Sequence, residues 1–484
     1  MKPLDEVLPR QRGLYYGGAW HEPRGGYAAT FDPGTGQSLG AAAQADAADV
    51  DAAVCAAGRG FETWRRVKPQ DRTAPLRRIA AIIRENAEEL ALIDAANCGN
   101  PVTRMAVDME LAAEAVDYFA GLATQLKGET LPMGEDILNY SVREPIGVCA
   151  RIVAYNHPLM FLASRLAAPI AAGNSVIMKP PVQAPLSSYR LMELIDGVLP
   201  PGVLNVLSGG TECGQALVAH PQVPRLSLIG SVTTGRAIAR AAADRLKHAT
   251  FELGGKNALV VYPDADIARA VEGAVKGMNF AWCGQSCGST SRLFLHESVH
   301  DEVLEGVVQA VRVFRPGLPT DPATTMGALI SEVQWERVME FIEAGRREGA
   351  RLITGGGRPQ DPALARGWFI EPTIFADVTM QMRIAREEIF GPVLSVLRWS
   401  DEEDLFRQVN DVEYGLTASV YTRDLARAHR AASRIEAGFL WVNNAGPHFT
   451  GASYGGLKQS GNAREESFEE LLSFTQTRNV NVTL

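Results

Sequence analysis

Six cysteines in 484 residues, Cys55, Cys98, Cys149, Cys213, Cys283 and Cys287, are too few and too scattered for a disulfide framework. A cysteine with a role here is expected to be a catalytic one. Long apolar runs are also missing. The stretches 146–154 and 258–262 fall far short of the roughly 20 residues that cross a bilayer, so no membrane partner is expected. Residues 1–13 mix acidic and basic side chains with prolines and have no apolar core of an export signal, which predicts a cytoplasmic location. The net charge is −9 with no basic stripe to neutralise phosphates, so no nucleic-acid partner is expected either. Internal repeats and low-complexity tracts are absent, and no residues are assigned to a metal.

What remains is an ordinary globular composition, 46% hydrophobic and 21% charged, on a chain long enough for two or three domains. Helical periodicity predicts helices over 45–66, opened by Asp46 and Asp49, and over 72–96. Strands are then expected at 146–154, 175–179, 203–208 and 226–229, alternating with helices at 159–172, 187–199, 212–219 and 235–243. That order predicts a doubly wound α/β domain with a largely parallel sheet and ligands at the carboxyl ends of its strands. A second alternating series from Asn257 to about Asn444 predicts a second such domain. Segment 121–135 followed by 138–143 reads as a hairpin leaving the first domain. Residues 473–484 read as an exposed strand in search of a partner.

Four segments carry chemistry. Cys287, in Phe280-Ala-Trp-Cys-Gly-Gln-Ser-Cys287-Gly-Ser, lies among small residues that would let a carbonyl approach sulfur, although a lone cysteine is also often just a small buried hydrophobe. Cys283 reads as structural. Glu252, before the glycine turn Gly254-Gly255, is either a solvated acid or a base with a raised pKa. A free thiol is only about 3% ionised at neutral pH, so a helper is needed. Asn156, between a strand and a helix, either caps the helix or donates to an oxyanion. His157, followed by proline, lines a wall rather than acting as a base. Lys179, at a strand end, and Gly230-Ser231, opening a helix, suit the ribose and pyrophosphate of a dinucleotide, although the G-x-G-x-x-G fingerprint is absent there.

Taken together the segments resemble the aldehyde dehydrogenase superfamily over nearly the whole chain. The matching segments, in order, are Tyr155-Asn156-His157-Pro158, Lys179-Pro180-Pro181, Gly230-Ser231, Glu252-Leu253-Gly254-Gly255-Lys256, Gly284-Gln285-Ser286-Cys287, Glu387-Glu388-Ile389-Phe390-Gly391-Pro392, Trp441-Val442-Asn443 and Gly455-Gly456-Leu457-Lys458-Gln459-Ser460-Gly461. The resemblance implies oxidation of an aldehyde to a carboxylic acid through a Cys287 thiohemiacetal and thioester, with hydride transfer to NAD or NADP. Asn156 and the Cys287 N–H would hold the oxyanion, Glu252 would activate the hydrolytic water, and Lys179 would join this catalytic group. It further implies that Lys179 and Glu388 hold riboses, Ser231 touches the pyrophosphate and Phe390 packs beside the nicotinamide. Tyr155, Gly230, Leu253, Gly254 and Gln334 complete the cofactor set. Leu111, His157, Ser164, Ser286, Gly288, His448 and Tyr454 would line the aldehyde channel.

The implied fold is aldehyde dehydrogenase-like: two doubly wound α/β domains plus a small β flap. Residues 1–121 and 146–254 would bind the dinucleotide, 255–456 would be catalytic, and 122–145 with 470–484 would form a flap joining a homodimer or homotetramer. Three positions depart from common family patterns: Tyr155 for Trp, Val182 for the Glu of NAD-preferring members, and Ala463 for Gly. Val182 predicts that NAD is favoured and NADP also accepted. The rival readings are a coenzyme-A-acylating relative, which commonly lacks the glutamate, and a catalytically silent structural relative. Small residues around Cys287 favour a bulky or aromatic aldehyde.

Overall fold

The computed structural model describes residues 2–483. Met1 and Leu484, the outer limits of the expected cofactor domain and flap, lie outside the described residues. Val148–Ile152, Ser175–Lys179, Leu204–Val206, Arg225–Ile229 and His248–Glu252 form a parallel sheet. Strands covered on both faces read as continuous apolar runs rather than alternating ones. Accordingly Ser175–Lys179 and Arg225–Ile229 are buried at every position. One face is covered by Ala47–Trp64, Thr211–Ala219 and Val232–Ala243, the other by helices that include Val102–Leu122, Pro158–Ala171 and Leu186–Leu194.

In space the strands run 248–252, 225–229, 148–152, 175–179, 204–206. Winding therefore reverses between Val148–Ile152 and Arg225–Ile229, and a crevice opens at their carboxyl ends. The chain emerges there as Tyr155-Asn156 on one side and Gly230-Ser231 on the other. Leu14–Tyr16 and Ala19–His21 extend this sheet antiparallel at its far edge.

The second sheet has six parallel strands, Ala258–Val261, Arg292–His296, Thr373–Ala376, Val393–Trp399, Thr417–Tyr421 and Phe439–Val442, with Arg351–Thr354 antiparallel at one edge. It too has an apolar core on each face. The architecture is thus α/β with two parallel-sheet domains, as expected. Cys287 precedes Arg292–His296 and so lies over the amino-terminal edge of this sheet, whereas Glu252 closes a strand at the carboxyl edge of the first.

Three details differ from the expectations. The single helix over 72–96 is two, Thr73–Glu85 and Ala87–Cys98, because Asn86 leaves helical geometry (φ −120°, ψ 19°) and its side chain takes the Ile82 carbonyl. The hairpin begins later than Gly121, since helix Val102–Leu122 runs through that position and the strands are Thr130–Pro132 and Ile137–Pro145. The carboxyl-terminal strand, Thr475–Thr483, does not wait for a second subunit: it pairs antiparallel with Ile137–Pro145 of the same chain over all nine residues. Among the described residues its other edge carries no strand.

Candidate active site

The loop carrying Cys287 is built under constraint. A short 3-10 turn, Phe280–Trp282, is flanked by Asn279 and Cys283 with φ of 56° and 53°. Gly284 follows at φ 64°, where a Cβ would stand 2.1 Å from the Gly391 carbonyl oxygen, so only glycine fits. Buried Cys283 donates its thiol to the Gly327 carbonyl at 2.9 Å, a structural role as expected. Fully buried Gln285 accepts from the Ile330 N–H at 3.1 Å. Asn257 holds the loop from the other side, its amide donating to the carbonyls of Cys287 at 2.7 Å and Ser289 at 3.0 Å. Among the described residues no carbonyl takes the Cys287 N–H. Burial, with Glu252 and Glu388 adding repulsion, pushes the Cys287 thiol up to about 12.

Glu252 is 5% exposed, and neither carboxylate oxygen has a hydrogen-bond partner among the described residues. Burial first, then the Glu465 carboxylate, push its pKa well above the ordinary carboxylate range, with Arg165 acting against them. Segment 455–463 ties the two domains at this point. Glu252 bridges Gly461, the Leu253 N–H donates to the Ser460 carbonyl at 2.9 Å, and the Ser460 hydroxyl donates to the Gly254 carbonyl at 2.7 Å. A Cβ at Gly461 would stand 2.0 Å from the Phe251 oxygen, and its φ is 121°. Behind Glu252 lies a buried ionic cluster that the sequence did not disclose. Arg151 meets Glu470 at 2.7 Å and Glu465 at 2.5 Å, while Arg165 meets Glu465 at 2.8 Å and Glu466 at 3.3 Å. Its members lie about 300 positions apart in the chain.

Asn156 is 3% exposed, and its backbone carbonyl accepts from the Asn100 amide at 2.8 Å. The next residues are held from the same helical layer: Asp94 accepts the Leu159 N–H at 3.1 Å, and Asp108 bonds His157 Nδ1 at 2.7 Å. His157 also packs by Trp282, ring centroids 5.8 Å apart. Asn100, Asp94 and Asp108 carry no motif, so spacing gave no hint of them. Leu111 lies one turn beyond Asp108 on helix Val102–Leu122 and is 46% exposed. The Ser164 hydroxyl is turned back to the Met160 carbonyl at 2.6 Å.

Tyr454 and Ser286 gather around Gly288: a Cβ there would stand 3.4 Å from the Tyr454 hydroxyl and 3.8 Å from that of Ser286. His448 stacks on Tyr454 at 4.2 Å and pairs with Glu466 at 3.0 Å, and Phe439 lies 5.5 Å from the Tyr454 ring.

At the crevice of the first sheet, Ser231 caps helix Val232–Ala243 by accepting the Thr234 N–H at 3.2 Å. Burial pushes the Lys179 ammonium's pKa down, and only the nearby Cys213 acts against it. Leu253 packs close to Gly235 of the same helix. Facing them, Glu388 accepts the Gly255 N–H at 3.0 Å, and Tyr155 meets Phe390 edge-on at 5.8 Å. The Gln334 amide donates to the carbonyls of Ile389 at 3.1 Å and Phe390 at 2.8 Å, so it fastens the loop that carries Glu388 and Phe390. Val182, just past Lys179-Pro180-Pro181, is 37% exposed.

The aldehyde dehydrogenase family profile matches residues 20–480. Aldehyde dehydrogenase tropH of Talaromyces stipitatus is 55% identical over 490 aligned residues, covering 100% of this chain and 95% of that protein. Among solved structures, the NAD+ complex of an aldehyde dehydrogenase from Bacillus cereus is 35% identical with a TM-score of 0.96, covering 100% of this chain and 99% of the other. AldA of P. syringae, an indole-3-acetaldehyde dehydrogenase solved with NAD+ and IAA, is 36% identical with a TM-score of 0.95, covering 98% of this chain and 97% of its own. With a cysteine over one sheet edge, a buried carboxylate on the other and a profile match along nearly its whole length, the chain belongs to the aldehyde dehydrogenase family.

Proposed function

We propose that the protein oxidises an aldehyde to its carboxylic acid with Cys287 as nucleophile. The observation that carries this reading is Glu252, a buried carboxylate with both oxygens unpaired, beside a cysteine loop fixed by Asn257, Gln285 and Gly284. Cys287 sulfur attacks the carbonyl carbon, and the alkoxide so formed is held by the Asn156 amide and the Cys287 N–H. A nicotinamide dinucleotide, when bound, supplies the hydride acceptor. The resulting Cys287 thioester is hydrolysed by water from which Glu252 takes a proton. A coenzyme-A-acylating reaction needs no base for water, so Glu252 speaks against it, and against a catalytically silent relative as well.

The residues present fit the dinucleotide. Lys179 and Glu388 would hold the two riboses, Gly230 and Ser231 the pyrophosphate at a helix amino terminus, and Tyr155, Leu253, Gly254 and Phe390 would form the walls. Gln334 acts through the Phe390 loop. We assign 1–121 and 146–254 to cofactor binding, 255–456 to catalysis and 122–145 with 470–484 to subunit contact in a cytoplasmic homodimer or homotetramer. NAD is the favoured cofactor and NADP a second. The wall of Tyr454, His448 and Phe439 suits a planar aromatic aldehyde, and Leu111, His157 and Ser286 would complete its channel. Cys287→Ala is expected to abolish oxidation while leaving NAD binding nearly unchanged. Turnover above a few per cent of wild type would overturn the assignment.

A further inference from the structure

The Tyr454 hydroxyl is sealed from solvent on a residue that is 5% exposed and firmly held, and apart from the Cys287 thiol beside it no hydrogen-bond partner for it lies among the described residues. The backbone of Tyr454 pairs both ways with Glu465, N–H to carbonyl at 3.0 Å and 2.7 Å, and His448 stacks on the ring. A buried hydroxyl left unpaired is destabilising, so its retention in a rigid position needs an occupant for the bond it offers. The hydroxyl stands next to Gly288, whose would-be Cβ is 3.4 Å away, and it lies within hydrogen-bonding reach of the Cys287 thiol. A neutral thiol is a weak acceptor, while a thiolate is a strong, charged one.

We propose that Tyr454 is a catalytic residue whose phenol O–H donates to the Cys287 thiolate, stabilising the nucleophile before the aldehyde binds. Burial and two carboxylates oppose ionisation of this thiol, and the nearby phenol and the Gly288 N–H are the groups that favour it. Tyr454 thus supplies part of the help that a buried cysteine needs without a cationic neighbour. When sulfur attacks the carbonyl, its charge passes to oxygen and the Tyr454 bond weakens as the Asn156 bond forms.

The assignment rests on Cys287 being the nucleophile, and the test separates the two. The rate of Cys287 alkylation by iodoacetamide is measured against pH on the NAD-bound enzyme, with the modified peptide identified by mass. Tyr454→Phe is expected to raise the apparent thiol pKa by about one unit, slowing alkylation at neutral pH about tenfold. kcat/KM is expected to fall by a similar factor for all aldehydes. Site-specific 3-fluorotyrosine at 454, a stronger donor, is expected to move the pKa the other way. An unchanged alkylation profile in Tyr454→Phe would overturn the proposal. So would a loss confined to aldehydes bearing a hydroxyl or carboxylate beside the carbonyl, which would make Tyr454 a reader of substrate. If alkylated Cys287 leaves turnover intact, the nucleophile assignment itself fails.

Discussion

Glu252 holds its proton more tightly than a solvated carboxylate because burial and Glu465 outweigh Arg165. As a base it works only when ionised, so hydrolysis of the thioester is expected to slow as pH falls through that raised pKa. Stability runs the other way: the stabilisation from binding this proton is complete below the ordinary carboxylate range and is lost as pH rises through the folded pKa. Glu252→Gln removes the titration, so its unfolding midpoint relative to wild type is expected to climb with pH, which calorimetry at several pH values would show. The same variant is expected to lose at least about 100-fold in steady-state turnover while its first turnover of reduced cofactor persists in rapid mixing. If the burst vanishes too, Glu252 acts before acylation. At Val182 charge decides cofactor choice: valine neither binds ribose hydroxyls nor repels a 2′-phosphate, and Lys179 can meet either group. Val182→Glu is expected to lower kcat/KM for NADP at least about tenfold, or ~1.4 kcal/mol, leaving NAD little changed. A wild type that already rejects NADP by several orders of magnitude would contradict this.

The carboxyl-terminal segment shows why elements must be cut where they pack. Phe474 is 1% exposed, its carbonyl accepts from the Asn174 amide at 2.9 Å, and the Arg151 and Arg225 guanidinium groups lie over its ring. Glu470, on helix Phe468–Ser473, belongs to the ionic cluster behind the base. Only from Thr475 does the chain leave for the three-stranded flap, which exposes Leu131, Leu138 and Val482. Deleting residues 475–484 is therefore expected to leave aldehyde-independent NAD binding intact while shifting light-scattering mass toward a smaller assembly. An unchanged mass would show that the flap's free edge is not a subunit contact. Cutting before Ser473 would damage the core as well and blur the result.

Across the whole molecule, what the sequence disclosed was local: helices opened by caps such as Asp46, strands ending in Lys179 or Gly230, and the turns around Glu252 and Cys287. Apolar periodicity reports what each element buries, so both parallel sheets were legible from it. The supports of the site were not, because Asn100 reaches Asn156, Asn257 reaches Cys287 and Arg151 reaches Glu470 only after the chain has folded. Nor could periodicity tell whether the last strand pairs within its own chain, since an exposed edge looks the same either way. The two sheets present opposite edges to one another, and this places the cysteine of one domain against the carboxylate of the other. The most direct test of that arrangement is mass spectrometry of the Glu252→Gln enzyme quenched after one turnover with NAD+ and an aromatic aldehyde. That arrangement predicts the oxidised acyl group, as a thioester, on the peptide carrying Cys287. A peptide with no adduct despite a full burst of reduced cofactor, or an acyl group on another cysteine, would contradict it.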